Sequence, residues 1–267
     1  MGRIEAKFAD LKRGGRRALI PFITAGDPDL GTTELLLVEL ARAGADLIEV
    51  GVPFSDPVAD GPVIQRASER ALRNGVTLSA VLGCIAAARS RIEIPIVLFS
   101  YFNPLLQFGP ERLVREAREA GIDGILVTDL IPEEATDWET ILQANSVDPI
   151  FLVAPTTSEA RLKRITAQAR GFIYAIARTG VTGAREEMTD VSETLVRRVR
   201  NYTELPVAVG FGVTTAQHVR EVWRYADGAV VGSAIVREIE RCGSDDQVVG
   251  RAGEFVRGLR PAEGDGA

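Results

Sequence analysis

Histidine and lysine are nearly missing from this chain. One histidine, His218, and three lysines, Lys7, Lys12 and Lys163, are spread over 267 residues. A metal held by histidines needs two or three of them at one place, so that class is excluded. A magnesium site built from carboxylates alone is the metal option that remains. A Schiff-base aldolase or a pyridoxal enzyme needs a lysine projecting into its site. Lys7 and Lys12 fall in the first amphipathic segment and Lys163 on a surface helix, so none is placed to do this. Cysteine is as scarce. Cys84 and Cys242 form no motif, and Cys84 reads as a small hydrophobe in an apolar helix. A reducing, cytoplasmic setting is expected. No apolar run approaches the length of a membrane span, and the charged N-terminus has no signal core. Basic blocks are absent too, and the net charge is −6. Nucleic acids and anionic membranes are therefore not the expected partners, and any phosphate must be bound locally.

What the chain does have is apolar sequence cut into short pieces. Hydrophobic residues make up 46% of it, enough for one large α/β domain or two small ones. Apolar runs at 18–24, 46–50, 95–100, 124–128, 149–154, 172–176, 206–209 and 229–231 read as buried strands. The stretches between them read as helices, at 33–43, 63–74, 78–90, 110–121, 132–144, from Ser158 to near 171, from Asp190 to 202, briefly after Thr214, and at 247–257. An extra helix over 2–13 precedes them, with Ile4, Phe8 and Leu11 at helical spacing. Thr77, Ser158 and Thr214 are placed as N-caps and Asp190 with Glu193 as a capping box. Gly44 and Gly258 are placed as helix stops. Residues 177–189 read as a long polar loop containing Arg178, and 261–267 as a loose tail.

A cadence recurs where helices hand over to strands: Ala-Gly-Ala-Asp46, Ala-Gly-Ile-Asp123 and Tyr-Ala-Asp227. Eight apolar strands alternating with amphipathic helices argue for a parallel sheet covered by helices. Eight such units in this length favour a closed (β/α)₈ barrel forming a single domain over 1–260. An open doubly wound sheet is the alternative. It would carry a Gly-x-Gly-x-x-Gly turn after the first strand, and the sequence has none there.

The stretch from Ile48 to Pro62 carries the most unusual feature. Glu49 is a lone carboxylate inside an apolar strand, and Asp56 and Asp60 follow in a Pro/Gly-punctuated loop. A buried charge costs several kcal/mol unless it is paired or neutralised. Glu49 is either a structural residue paired to an arginine or an acid/base group tuned by an apolar pocket. On this stretch alone the two readings stand level.

Barrels of this type build their sites at the C-terminal ends of the strands. Phe22 and Thr24, Glu49, Tyr101 with Asn103, Asp129, Tyr174, Gly210 to Gly212, and Gly232-Ser233 all fall at such ends. That grouping shifts Glu49 towards function. Gly210-Phe211-Gly212 and Gly232-Ser233 follow the last two strands, where a phosphate is often held. Glycines let backbone N–H groups approach an anion, and Ser233 could open a helix whose N-terminus donates to it. Phe22, Tyr101 and Phe211 suit either barrel packing or an aromatic pocket wall. His218 reads as solvated, and Trp138 and Trp223 as packing. With no lysine or histidine at a strand end, proton transfer by Glu49 and Asp60 on a substrate with its own electron sink is the remaining mechanism.

The run Glu49-Val-Gly-Val-Pro-Phe-Ser-Asp-Pro-Val-Ala-Asp60-Gly resembles the signature of the tryptophan synthase alpha subunit family. Pro21-Phe-Ile-Thr-Ala-Gly-Asp-Pro28, Arg178-Thr-Gly-Val-Thr-Gly183, Gly210-Phe-Gly212 and Gly232-Ser-Ala234 resemble its other motifs, in the same order. Thr128 departs from the pattern, since alanine is common before the aspartate at position 129. The resemblance implies a TIM barrel that cleaves indole-3-glycerol phosphate to indole and glyceraldehyde 3-phosphate in tryptophan biosynthesis. It implies no cofactor in this subunit and no metal. It also implies a pyridoxal-phosphate-dependent beta subunit as partner, in a cytoplasmic α₂β₂ heterotetramer. By matching motif, Glu49 is the acid/base at the ring carbon, and Asp60 stabilises charge at the indole nitrogen. Phe22, Ile64, Leu126, Tyr174 and Phe211 line the substrate pocket, and Thr182 lies in the loop that closes over it. Gly183, Gly212, Gly232 and Ser233 hold the phosphate, and Asp56 and Pro57 face the partner. A free-standing lyase of the same family, another phosphate-binding barrel such as a sugar-phosphate isomerase, and a barrel kept only as an activating subunit are the competing readings.

Overall fold

Short strands of β-branched and aliphatic residues, too apolar to face water on either side, close on themselves here. They are β1 (Ala18–Thr24), β2 (Ile48–Gly51), β3 (Ile96–Ser100), β4 (Gly124–Val127), β5 (Asp148–Val153), β6 (Ile173–Ile176), β7 (Val207–Gly210) and β8 (Gly228–Val231). Every neighbouring pair is parallel, and β1 pairs with both β2 and β8 to complete a closed barrel. The structure, a computed structural model, describes residues 1–176, 185–210, 212–242 and 247–260, with the side chains of 185–189 excepted. The expected tail at 261–267 lies outside the described residues.

Strand parity sorts the core into two clusters. Ala18, Ile20, Phe22, Leu47, Val97, Phe99, Leu126, Ile150, Tyr174, Ala208 and Val230 point into the barrel. The alternate residues, among them Leu19, Ile48, Val50, Leu98, Val127, Val209 and Val231, pack outward against the helices. This is the period of two expected of a strand buried on both faces. Helix α1 (Arg3–Arg13) plugs the N-terminal end of the barrel by inserting Ile4, Phe8 and Leu11 into the inner cluster. Phe8 meets Phe172 there, with ring centroids 5.8 Å apart.

The outer shell is α2 (Leu30–Arg42), α3 (Pro62–Arg73), α4 (Leu78–Arg89), α5 (Phe102–Phe108), α6 (Pro110–Glu119), α7 (Thr136–Ala144), α8 (Glu159–Gln168), α9 (Arg185–Arg200), α10 (Ala216–Trp223), α11 (Ser233–Cys242) and α12 (Val248–Leu259). Thr77 and Ser158 cap α4 and α8 as expected, each accepting from a backbone N–H three residues on.

The repeated aspartates have a common physical role. Asp46, Asp123 and Asp227 each accept, at 2.9 Å, the backbone N–H of a residue on the preceding strand: Leu19, Ile96 and Val207. Each also donates its own N–H to that residue's carbonyl. An arginine neutralises each carboxylate: Arg260 for Asp46, Arg89 and Arg3 for Asp123, and Arg200 for Asp227. The cadence visible in the sequence is therefore a clamp at the N-terminal rim.

Several expectations need correction. Helix α2 starts at Leu30 rather than residue 33, because the Asp29 side chain caps it by accepting from Thr32 N–H. Helix α7 starts at Thr136, since 131–134 form a turn closed by the Glu134 N–H to the Ile131 carbonyl. Helix α5 was not expected at all. Asp129 at the end of β4 holds its first N–H, that of Phe102, at 2.7 Å. The capping box at Asp190 and Glu193 is wrong, because α9 already begins at Arg185 and both residues lie inside it. Thr215, not Thr214, caps α10. The Thr214 N–H instead lies 3.2 Å from His218 Nδ1, so His218 is engaged with its own helix start rather than only solvated. Gly258 does not stop α12, which continues to Leu259.

Candidate active site

Glu49 is in register with Phe22 on β1 and Val97 on β3, and in phase with the inward-facing Leu47. Its side chain must therefore point into the barrel. It is 0% exposed, and neither carboxyl oxygen has a hydrogen-bond partner among the described residues. The structural reading, an arginine partner, is thus not what the barrel provides. Burial in apolar surroundings pushes the Glu49 carboxyl up to about 8, so the neutral acid dominates at pH 7.

The walls around it are aromatic and aliphatic. Phe22 meets Phe99 edge-to-face at 5.3 Å, and Leu126 and Tyr174 complete the layer. The Tyr174 hydroxyl is raised well above its ordinary range, chiefly by burial and then by the charges of Glu49 and Asp60. Ile64, on the first turn of α3, is half-buried above this layer.

Asp60 stands in the loop between β2 and α3. Its backbone is fixed by its N–H to the Pro57 carbonyl at 3.0 Å and by Gln65 Nε2 to its own carbonyl at 2.9 Å. Burial pushes its carboxyl up to about 6, and a hydrogen bond from the Tyr101 hydroxyl opposes that rise. The same hydroxyl accepts the Ala59 N–H at 2.9 Å. Tyr101 thus anchors both the loop and the carboxylate. The sequence signalled it only as an aromatic residue at a strand end, with nothing to pair it with Asp60.

The glycine loops sit at the same end. Gly212 has φ +83°, a conformation that favours glycine. Ser233 is the first residue of α11, a ten-residue helix whose early N–H groups have no intrahelical acceptor. Asp56 and Val58 are exposed on the loop before Asp60, and Pro57 is half-buried between them. Arg178, Thr182, Gly183 and Phe211 lie outside the described residues. Among the described residues, no cluster of three or more His, Cys, Asp or Glu side chains could hold a metal, and no single helix is long and apolar enough to cross a membrane.

Fold and site together define a (β/α)₈-barrel enzyme with carboxyl groups at the mouth of the barrel. A family profile described as tryptophan synthase alpha chain matches residues 8–262. A tryptophan synthase alpha chain from Roseiflexus castenholzii is 50% identical over 261 residues, covering 97% of this chain and 100% of that one. One from Citrifermentans bemidjiense is 48% identical over 260 residues, covering 97% of each. Among solved structures, the alpha subunit from Legionella pneumophila superposes with a TM-score of 0.90 at 36% identity, covering 97% of each chain. The chain belongs to the tryptophan synthase alpha chain family, a family of lyases.

Proposed function

We propose that this chain cleaves indole-3-glycerol phosphate to indole and glyceraldehyde 3-phosphate, in the making of L-tryptophan. The observation that carries the reading is Glu49, a fully buried carboxyl without a polar partner, neutral at pH 7 in a pocket walled by rings. A neutral carboxylic acid can protonate the ring carbon that bears the glycerol chain. The ring then becomes a cationic electron sink. The carbon–carbon bond breaks, its electron pair restores the indole, and the neighbouring hydroxyl becomes an aldehyde as it loses its proton. The Glu49 carboxylate left by the first transfer is the group placed to take that proton, which resets the acid. Because the protonated ring supplies the sink, the step calls on neither lysine nor cofactor.

Asp60 would face the indole N–H and stabilise its positive charge, an electrostatic role suited to a half-buried carboxylate. Phe22, Ile64, Leu126 and Tyr174 would hold the ring, with Phe211 and Thr182. Gly212, Gly232, Ser233 and Gly183 would cradle the phosphate through backbone N–H groups.

The partner reading is a pyridoxal-phosphate-dependent beta subunit in a cytoplasmic α₂β₂ assembly. It is supported by exposed apolar side chains after three successive strands: Val58 after β2 (86% exposed), Leu106 after β3 (48%) and Ile131 after β4 (39%). Each follows the C-terminal end of its strand, the end of the barrel that also carries Asp56 and Pro57, and exposed apolar side chains there suit an interface. The test is indole release from indole-3-glycerol phosphate, with and without a beta subunit. Release that rises when the subunit is added supports the whole reading. Release indifferent to it leaves a free-standing lyase, and none in either condition refutes the proposed reaction.

A further inference from the structure

Thr24 closes β1 at the mouth of the barrel with only 3% of its surface exposed, and its Oγ1 has no hydrogen-bond partner among the described residues. Native structures satisfy such buried hydroxyls with protein groups or with ordered water. Thr24 lines a small cavity together with Asp60, Ser68, Ser100 and Tyr101. Phe22 and Ile64, from the wall of the proposed ring pocket, line it too, and the space in which a water's centre can move is ≈ 10 Å³, room for one water. Two of the hydroxyls on this wall are already used. Tyr101 accepts from Ala59 and donates to Asp60, and Ser100 Oγ donates to the Tyr101 carbonyl at 3.0 Å. Thr24 and the remaining acceptor capacity of the Asp60 carboxylate face the same pocket.

We propose that this cavity holds one water that accepts the Thr24 hydroxyl proton in a hydrogen bond and donates to the Asp60 carboxylate, making Thr24 a positioning residue for Asp60. The proposal rests on the reading of Asp60 as the group that stabilises charge on the indole nitrogen. Tyr101 alone leaves the carboxylate free to swing about one bond. A second donor arriving from the β1 side fixes its plane, and water-mediated bonds do this nearly as well as direct ones. Among the described residues, the titratable groups that interact with Asp60 are Tyr101 from the end of β3 and Tyr174 from β6. Neither carries a positive charge, so among the described residues hydrogen-bond donors are what hold the ionised Asp60.

The experiment compares Thr24→Val, which keeps the shape and removes the hydroxyl, with Thr24→Ser, which keeps the hydroxyl, and with Asp60→Asn. Each is measured as the full-length chain with beta subunit added, by indole release across pH. Thr24→Val should lower kcat about tenfold with KM within about twofold, since the lost interaction acts on the transition state. The acidic limb of its pH profile should move to higher pH, because the ionised Asp60 has lost a donor. Thr24→Ser should restore both. Wild-type kcat and an unmoved acidic limb in Thr24→Val, beside an inactive Asp60→Asn, would overturn the water link while leaving Asp60 in its role. Equal losses in the Val and Ser variants would overturn it as well, by showing packing alone. An active Asp60→Asn would instead remove the reading on which the proposal rests, and the proposal with it.

Discussion

Gly210 and Tyr174 claim the same space. A Cβ added to Gly210 would lie 2.0 Å from the Tyr174 hydroxyl oxygen and 2.5 Å from its ring carbon Cζ. Residue 210 is glycine because the ring needs that volume. This differs from Gly212, where the backbone itself, at φ +83°, requires glycine and nothing crowds the position. Two glycines in one short motif therefore have separate physical causes.

Gly210→Ala should accordingly injure catalysis more than folding. Overpacking of this kind costs about 1–3 kcal/mol, and the strain is relieved by tilting Tyr174 into the substrate pocket. A loss of about tenfold or more in kcat/KM for indole release is expected, with a cooperative melt retained. Wild-type kcat/KM would show that the ring does not shape the pocket.

Glu49 should make the protein less stable as pH rises. In the unfolded chain its carboxyl ionises near the ordinary value of 4.5, while in the folded barrel it stays neutral up to about 8. Between those values only the unfolded state gives up the proton, so stability falls as pH increases, then levels off above the folded value. Each tenfold difference in proton affinity between the two states is worth about 1.4 kcal/mol, which puts the full effect at a few kcal/mol. Glu49→Gln should be nearly as stable as wild type at pH 4.5 and more stable at pH 7.5. Chemical denaturation at the two pH values measures this, and an equal difference at both would count against the buried neutral acid.

Ser233→Glu separates anion binding from folding. A carboxylate in the first turn of a helix favours the helix dipole by roughly 0.3–1 kcal/mol, so α11 should be no weaker. The same charge repels a phosphate at that N-terminus. KM for indole-3-glycerol phosphate should rise about tenfold or more while the melting temperature holds. An unchanged KM would remove the phosphate from this helix.

The rim clamps predict a converse case. Asp123→Ala leaves the Ile96 N–H without its acceptor and strips the mostly buried Arg89 of its carboxylate. Breaking such a buried pair costs about 3–5 kcal/mol. The site is at the opposite end of the barrel, so kcat per folded molecule should not change. A variant with normal stability and depressed kcat would contradict that division between the two ends.

The aspartate cadence shows why much of the barrel was legible. Asp46, Asp123 and Asp227 each mark a handover that depends on local sequence, and strand parity follows from apolar runs. Glu49 stood out because a carboxylate in such a run is anomalous. Helix α5 was missed because its hold is remote: Asp129, from the next strand, caps Phe102. The start of α9 was missed because Asp190 and Glu193 fit a capping pattern that also fits the interior of a longer helix. The Tyr101–Asp60 pair and the collision of Gly210 with Tyr174 exist only once strands distant in sequence lie side by side. No local pattern encodes them.

The central claim is that Glu49 moves the proton. It is tested most directly by the rate of indole release from indole-3-glycerol phosphate by Glu49→Gln at pH 7, with beta subunit present. Glutamine keeps the shape and cannot give up a proton. General acid–base groups contribute about 10²–10⁴-fold, and a group serving both transfers should lie at the upper end. A fall of about a thousandfold or more, in a variant that melts no lower than wild type, is the expected result. A rate within about threefold of wild type would contradict it.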